Sequence, residues 1–443
     1  AFLDHPSFAK RLNTAQLPLY LSCQYSPGRD TFFAGVQKLL PGHFLEFSDG
    51  IVRTTRWVQP AFLPGDAPVS PAEIEEVLRG SAAAHKVADV EVAGFLSGGV
   101  DSAYLTALAR PARTYTISYA EPKYDESFPA RALARSLGVR NRVWRISPGE
   151  FWDAVPAVQY HMDEPLADAA AVALYFLNRE AAKDVKVVLS GEGADELFGG
   201  YNIYRDPFTA RWYDRLPPWL RAGLGAAASL LPPARGVNFL VRRGMSLEER
   251  YFGPTALFNE REKRRLLADY AGDGDPMFLT EAIWDATEGL DPVTRMQQVD
   301  LNLWLAGDIL LKADKMSMAH SLELRVPFLD REVWALAAAL PAAAKADART
   351  TKIALRRAAA RTLPAASAAR KKLGFPVPVR DWLRQEPYTS RVRAVFSRPA
   401  AAEFFDPRAL HSMLNQHLHG GDCWRQIWCV YSFLIWYEQF FGA

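Results

Sequence analysis

Short apolar runs alternate with amphipathic stretches through the first half of this 443-residue chain. Apolar runs bounded by turn residues predict strands, and apolar positions three or four residues apart predict helices. The predicted strands are residues 90–96, 113–119, 142–146 and 185–190, and the predicted helices are residues 71–87, 102–110, 125–137, 148–160 and 169–183. Strands that alternate with helices indicate an α/β fold built on a doubly wound parallel sheet.

Ligands of doubly wound sheets bind beyond the carboxyl ends of the strands. We therefore expect residues 97–102, 117–118 and 190–196 to lie along one rim of the sheet. From residue 206 onward the pattern is helical, with Pro and Arg interruptions and no convincing strand. The aromatic stretch of residues 423–441 is interrupted by charged and amide side chains, so it predicts a buried terminal helix and not a membrane span.

The first 62 residues have a different pattern, with strand-like runs at residues 31–36 and 44–47. Residues 63–71 (LPGDAPVSP) form a Pro-rich linker, and Ser70 or Ser81 is a candidate cap for the helix that follows. We therefore expect two domains, residues 1–65 and residues 66–443. Because the chain begins abruptly at Ala1, we also expect it to be the C-terminal piece of a longer protein.

Composition narrows the class of protein. The 52 basic and 50 acidic residues give a net charge of +2, which offers no electrostatic case for binding nucleic acid or an anionic membrane. The three cysteines, Cys23, Cys423 and Cys429, are odd in number and show no metal-binding spacing. They fit a reducing compartment, so we expect a cytoplasmic protein.

The strongest chemical signal is residues 97–102 (SGGVDS), which link a predicted strand to a predicted helix. Free N–H groups and the dipole at a helix start favour an anion, and glycines let the backbone approach a phosphate closely. Asp101 would repel a phosphate, so we expect it to hold a Mg²⁺ that bridges to phosphate oxygens. The loop lacks the lysine of a Walker loop and matches the pyrophosphate loop of enzymes that cleave ATP between its α and β phosphates.

A second Gly-rich turn, residues 190–201 (SGEGADELFGGY), follows the next predicted strand. Residue 196 is Glu and not Gly, which rules out a dinucleotide-binding G-x-G-x-x-G turn. Its carboxylates include Glu192 and Asp195. Beside a phosphate loop they need cations, which argues for Mg²⁺, and they could supply a general base. An acidic first turn of a helix is an equally good alternative.

A third stretch, residues 307–330, interleaves charged and apolar residues at helical spacing. A surface helix with ion pairs explains most of it. Residues 325–330 (RVPFLD), in contrast, are typical of a rigid turn and not of a solvated helix face. Lys352 lies near a further helix start. It matters for function only if its ammonium group reaches the phosphates.

Together these stretches resemble the glutamine-dependent asparagine synthase family, asparagine synthetase B. Residues 97–102 look like its S-G-G-x-D-S loop, and residues 190–201 like its S-G-E-G-x-D-E-x-F-G-G-Y turn. Residues 315–317 with 323–330 look like the block that ends E-x-R-V-P-F-L-D, and residues 371–378 resemble the bacterial K-K-x-G-F-x-x-P segment. The motifs occur in the expected order and cover about residues 80–385.

The resemblance implies a pyrophosphate-loop sheet of the adenine nucleotide alpha hydrolase type with a helical C-terminal part. Residues 1–65 resemble the end of an N-terminal-nucleophile glutaminase domain, a β-rich remnant. The family's catalytic N-terminal cysteine would lie upstream of Ala1, and none of the three cysteines is N-terminal. We therefore expect this chain to use free ammonia and not glutamine.

The resemblance also implies roles for individual residues. The pyrophosphate and Mg²⁺ would be held by Ser97, Gly98, Gly99, Asp101 and Ser102, with Asp195 as a second metal ligand. The nucleotide would contact Phe95, Ile117, Ser190 and Gly191. The catalytic residues would be Glu192, which forms and consumes the acyl-AMP, Lys352, which neutralises charge at the reacting phosphate, and Asp195. Asp308 matches an acidic position near the substrate.

Asp163, Glu164 and Asp168 resemble an acceptor-site segment. The family often has a hydroxyl two or three residues after that last Asp, where this chain has alanines at 169–171. The acceptor is therefore less firmly predicted than the ATP chemistry.

The implied activity is amidation of aspartate to asparagine with ATP and Mg²⁺, through β-aspartyl-AMP, with ammonia supplied by glutamine in the whole protein. Its partners would be these small molecules, without nucleic acid or membrane, and a homodimer is compatible with the resemblance. The alternative is a related ligase that acts on another carboxylate, such as a β-lactam synthetase or a peptide-modifying amidotransferase. A tRNA-modifying enzyme would need a working cysteine near the loop and a basic face, and a non-catalytic protein would have broken motifs.

Overall fold

A computed structural model describes residues 2–65, 69–231, 235–270, 272, 274–370 and 374–442. Within them, the centre of the molecule is a five-stranded sheet in the order β5-β4-β3-β6-β7, and all four neighbouring pairs are parallel. The strands of the described chain are β1 (His43–Ser48), β2 (Ile51–Arg56), β3 (Val92–Phe95), β4 (Arg113–Ser118), β5 (Arg140–Arg145), β6 (Val187–Leu189) and β7 (Glu323–Arg325). The predicted doubly wound α/β class is confirmed.

The strand order changes direction at β3, which pairs with β4 on one side and β6 on the other. Such a switch point opens a crevice at the carboxyl ends of the two central strands. Both strands are fully buried, which explains their continuous apolar sequences. The prediction that no strand follows residue 206 is wrong, because β7 pairs with β6 and its Arg325 carbonyl accepts a hydrogen bond from Ser190 N.

Helices cover both faces of the sheet and form most of the other regular structure in the described chain. Before β7 the helices are α1 (Gln16–Cys23), α2 (Pro71–Ala84), α3 (Val100–Ala109), α4 (Ser127–Leu137), α5 (Pro148–Met162), α6 (Ala170–Ala182), α7 (Ala194–Phe198), α8 (Arg211–Asp214), α9 (Pro218–Ala228), α10 (Arg235–Gly244), α11 (Leu247–Arg250), α12 (Glu260–Leu266), α13 (Met277–Ala286), α14 (Pro292–Asn302) and α15 (Leu311–Met318). After β7 they are α16 (Arg331–Ala338), α17 (Ala342–Lys345), α18 (Ile353–Ala359), α19 (Ala365–Ala368), α20 (Val379–Trp382), α21 (Tyr388–Phe396), α22 (Pro399–Phe404), α23 (Pro407–Leu418) and α24 (Trp424–Phe440). Short 3₁₀ turns occupy Phe2–Asp4, Pro122–Tyr124, Asn202–Phe208 and Pro327–Leu329, and a π-helical turn, Leu305–Leu310, leads into α15.

Helices were predicted in the right places between the strands. Of the two candidate caps for α2, Ser70 is the one used, since its hydroxyl accepts a hydrogen bond from Glu73 N. The predicted terminal helix is α24, whose side chains from Ile427 to Trp436 are all buried. No helix in the described part of the chain is long and apolar enough to cross a membrane.

The N-terminal segment joins the same hydrophobic core as α24. Helix α1 is buried throughout, and the ring centroids of Phe32 and Trp436 lie 5.1 Å apart in a tilted arrangement. The prediction of a strand at residues 31–36 is wrong, because Phe32 and Phe33 turn into this aromatic cluster and Gly35 follows with a positive φ. The predicted strand at residues 44–47 is confirmed as β1, which pairs with β2 in an antiparallel hairpin that is largely exposed. The predicted domain boundary falls beside residues 66–68, which lie outside the described residues, and it stays a prediction.

Candidate active site

The predicted phosphate loop lies between β3 and α3, at the switch point. Its two serines brace it, with Ser97 Oγ 2.9 Å from Ser102 Oγ and with Ser97 N donating to Ser102 Oγ at 3.0 Å. The Gly-rich turn after β6 packs directly against this loop, because a Cβ added at Gly191 would lie 3.3 Å from Ser102 N. The structure therefore brings the two turns together, as the strand order requires.

Lys352 reaches this junction from the start of α18. Its Nζ lies 2.5 Å from Asp101 Oδ2 and 2.7 Å from Asp195 Oδ1, and the side chain is only 2% exposed. The backbone holds Lys352 in the left-handed region, at φ 55°, a conformation that costs a residue with a Cβ about 1–2 kcal/mol. The ion pair of Lys352 and Asp195 requires glycine at position 200, since a Cβ there would overlap Asp195 Oδ1 and Lys352 Cε.

The electrostatics keep this lysine charged. Burial alone would lower the pKa of Lys352, but Asp101 and Asp195 more than offset burial and raise that pKa above its ordinary value. Arg356 also interacts electrostatically with both carboxylates, so the two acidic groups face two cations beside the phosphate loop.

Asp101 and Asp195 are candidate ligands for a Mg²⁺. Among the described residues no group of three or more His, Cys, Asp or Glu could hold a metal by itself. Mg²⁺ commonly takes one or two carboxylates together with substrate phosphates and water. The pair of Asp101 and Asp195 fits a Mg²⁺ that arrives with a nucleotide.

A cavity of about 760 Å³ runs from the phosphate loop toward the N-terminal segment. Most of the predicted site residues line it, namely Phe95, Ser97, Gly99, Asp101, Ser102, Ile117, Ser190, Gly191, Glu192 and Asp195. Three predicted residues lie behind this lining. Gly98 faces α4, where a Cβ would lie 3.1 Å from Pro129 Cγ. Lys352 pairs with Asp101 and Asp308 pairs with Lys312, and both of these partners line the cavity.

The far end of the cavity holds a buried charged chain that sequence reasoning did not assemble. Lys312 Nζ lies 2.5 Å from Asp168 Oδ2 and 2.8 Å from Asp308 Oδ1. Burial raises the pKa of Asp308 to about 7, although Lys312 acts to lower it. Burial would also raise the pKa of Asp168, but Lys312 holds it below its ordinary value. The sequence did contain one indication of this buried ion pair, the i,i+4 spacing of Asp308 and Lys312. The same spacing is also typical of an ordinary surface ion pair.

Of the predicted acceptor-site segment, only Asp168 lines the cavity. Glu164 instead anchors the N-terminal segment, because its carboxylate accepts from Phe32 N at 2.9 Å and pairs with Lys38 Nζ at 2.6 Å. Asp163 pairs with Lys315 at 2.5 Å on the surface. In the K-K-x-G-F segment, residues 371–373 lie outside the described residues, while Gly374 and Phe375 line the cavity.

The cysteines are unsuited to nucleophilic chemistry. Cys23 and Cys429 are buried, and burial raises the pKa of the Cys23 thiol to about 12. Burial also raises the pKa of Cys423 and of Cys429. None of the three is among the described residues that line the cavity.

Residues 73–438 match the family model described as asparagine synthase. The chain belongs to the asparagine synthase family. This confirms the family that the motifs indicated, and the matched region contains the phosphate loop, the Gly-rich turn and Lys352. Gln24, at the far end of the cavity, lies outside it.

Named relatives agree with the family. A protein of Mycobacterium bovis that carries a provisional name as a glutamine-hydrolyzing asparagine synthetase is 42% identical over 98% of this chain and 68% of its own length. Asparagine synthetase 1 of Bacillus subtilis, also named glutamine-hydrolyzing, is 37% identical over 95% of this chain and 68% of its own length. A solved U34-tRNA thiolase from Methanococcus maripaludis is 12% identical, covers 57% of this chain and 81% of its own, and has a TM-score of 0.22, too low to carry an argument.

Proposed function

We propose that this chain is an ATP-dependent ligase that joins ammonia to the β-carboxylate of aspartate, yielding asparagine, AMP and pyrophosphate. The observation that carries the proposal is the clamping of Lys352 between Asp101 and Asp195 at the mouth of a phosphate loop that has no lysine of its own. The names of the relatives, which are asparagine synthetases, support the choice of product.

In the first step an oxygen of the aspartate β-carboxylate attacks the α-phosphorus of ATP. The bond from that phosphorus to the bridging oxygen breaks, so that β-aspartyl-AMP forms and pyrophosphate leaves. The N–H groups of the phosphate loop bind the leaving group, and Lys352 offsets the charge that grows on the phosphoryl oxygens. Asp101 and Asp195 would hold a Mg²⁺, which would neutralise phosphate charge.

In the second step the ammonia nitrogen attacks the acyl carbon, and the carbon–oxygen bond to AMP breaks. The nitrogen must lose a proton as the amide forms. We assign this proton to Glu192. The assignment is supported by its position in the cavity lining, on the turn that follows β6, and by its electrostatic interaction with Lys312 at the far end. Positioning of the three reactants in one cavity supplies the remaining catalysis.

One observation favours a second candidate, a ligase of the same fold that acts on another carboxylate. Ala169 and Ala170 line the cavity beside Asp168 and present no hydroxyl to an acceptor. An acceptor larger or less polar than aspartate would fit such a wall better than a wall with hydroxyl groups.

The test is amino-acid-dependent exchange of labelled pyrophosphate into ATP, measured across all the common amino acids. The proposal expects exchange with aspartate and, when ammonium is added, release of asparagine and AMP in equal amounts. Exchange supported by a different carboxylic acid and not by aspartate would transfer the proposal to the second candidate. ADP and phosphate as products would contradict both.

A further inference from the structure

Gln24 belongs to a segment outside the matched family region, yet its side chain lines the cavity. It is the C-cap residue that follows α1, and only 6% of it is exposed. Its Nε2 donates a hydrogen bond to Asp308 Oδ2 at 2.8 Å. Its backbone carbonyl accepts from Ala167 N at 2.8 Å, next to Asp168. Residues far apart in the sequence therefore meet at the acceptor end of the site.

The backbone at Gln24 indicates that the side chain is there for its chemistry. Its φ is 66°, the left-handed conformation in which a Cβ crowds the following carbonyl. Glycine is the usual residue at such a helix end, and Gly138 occupies the equivalent place after α4 with φ 68°. A glutamine held in this conformation, buried and hydrogen-bonded, points to a functional constraint.

The hydrogen bond from Gln24 acts on a chain of charges. Asp308 is fully buried and uses its two oxygens differently, Oδ2 for the Gln24 amide and Oδ1 for Lys312 Nζ. Lys312 in turn holds Asp168, which lines the cavity, and its ammonium lies 5.8 Å from the centre of the Trp304 ring. A donated hydrogen bond favours the ionised carboxylate.

Two further titratable groups of the described chain act on these charges. Tyr25 interacts electrostatically with Asp308, and Glu192 interacts with Lys312. Asp168, Lys312 and Asp308 contribute one more negative than positive charge when all are ionised. The cavity end thus offers groups of both signs, which is what a zwitterionic amino acid needs.

We propose that Gln24 is a positioning residue for the amino-acid substrate. Its hydrogen bond fixes the orientation of Asp308, Asp308 fixes Lys312, and Lys312 holds the Asp168 carboxylate at the place where the substrate binds. The inference rests on the proposed function and extends it to a residue outside the matched family region. Gln24 touches Asp308 and not the reacting atoms, so its loss is expected to affect acceptor binding more than the binding of ATP.

The experiment compares wild-type protein with Gln24→Met, which keeps the length of the side chain without its donor, and Gln24→Gly, which also relieves the backbone. Gln37→Met is the matched control, because Gln37 lies in the same segment and donates to Asp30 at 2.9 Å on the surface. Aspartate-dependent pyrophosphate exchange is measured from pH 6 to 9, together with the KM for aspartate, the KM for ATP and the melting temperature.

We expect both Gln24 variants to raise the KM for aspartate at least about tenfold, with the KM for ATP within about twofold of wild type. Because the lost hydrogen bond favoured ionised Asp308, the acid limb of the pH profile is expected to move to higher pH. The Gly variant is expected to melt no lower than the Met variant, while Gln37→Met matches wild type throughout.

A wild-type KM for aspartate and an unmoved acid limb in Gln24→Met would overturn the inference. So would parallel losses in melting temperature and in both KM values, which would make Gln24 a structural residue only. If wild-type protein exchanges pyrophosphate with a different amino acid, the proposed acceptor fails, and the same KM comparison with that amino acid still decides the role of Gln24. A wild-type protein that is inert with every amino acid would contradict the proposed function and this inference together.

Discussion

Replacing Lys352 by methionine removes one charge from the centre of the proposed reaction and keeps an unbranched side chain that is one atom shorter. The ammonium lies 2.5 Å from Asp101 and 2.7 Å from Asp195, and it is the cation that sets these carboxylates beside the phosphate loop. The variant keeps the strained φ of 55°, so the backbone conformation at this position is not relieved. The change therefore tests charge and not backbone geometry.

The size of the effect follows from Coulomb's law. A unit charge about 4 Å from a developing negative charge is worth about 4 kcal/mol at an effective dielectric of about 20. Since each ~1.4 kcal/mol is a factor of ten in rate, the expected loss in kcat is about 10²- to 10³-fold. Charge that grows only in the transition state affects kcat, so the KM for ATP is expected to change little.

The assay is pyrophosphate release from MgATP and aspartate at saturating substrates, with the melting temperature measured in parallel. Lys315→Met is the matched control, because Lys315 also pairs with a carboxylate at 2.5 Å but lies on the surface with Asp163. We expect the control to behave as wild type. A kcat within about fivefold of wild type in a folded Lys352→Met protein would refute the reasoning, and a change confined to the KM for ATP would make Lys352 a binding residue.

Four further changes test other parts of the account. Asp101→Ala is expected to abolish pyrophosphate release without unfolding the chain, and release that survives would contradict its role with Mg²⁺. Gly200→Ala is expected to reduce exchange about as strongly as Lys352→Met, because the new Cβ overlaps the lysine and its partner; normal kinetics would show that the pair can move aside. Asp308 is protonated below its pKa of about 7 and ionised above it, so wild-type exchange is expected to rise through that pH and Asp308→Asn to lack the limb. Trp436→Ala is expected to cost about 3–5 kcal/mol in urea unfolding, since the ring is fully buried, and a loss under about 1 kcal/mol would contradict the packing of the aromatic cluster.

The parallel sheet and the phosphate-loop end of the cavity were open to prediction because their signals are local. An apolar run, a small-residue turn and a helix start lie consecutively in the chain, and the rule that ligands bind at strand ends brings residues 97–102 and 190–196 together. Strand β7 was not predicted because it has only three residues, of which the first and last are charged. Such a short segment shows no alternation of apolar and polar positions, and it is a strand only because it pairs with β6.

The far end of the cavity could not be assembled from sequence, because its groups come from separate parts of the chain. Gln24 follows a short buried helix, Asp168 precedes α6, and Lys312 lies in α15. Each has an ordinary explanation in isolation, as a surface amide, a helix cap or an ion pair. The irregular path of residues 31–36 was missed for a similar reason, since the aromatic partners of Phe32 and Phe33 lie in α24.

The central claim is that a carboxylate of the substrate attacks the α-phosphorus of ATP in this cavity. The most direct test supplies aspartate labelled with oxygen-18 in its β-carboxylate, together with MgATP and ammonium, and examines the products by mass spectrometry. The account predicts that each asparagine formed is matched by one AMP that carries a single labelled oxygen, with unlabelled pyrophosphate. AMP without the label, or label in inorganic phosphate beside ADP, would contradict it.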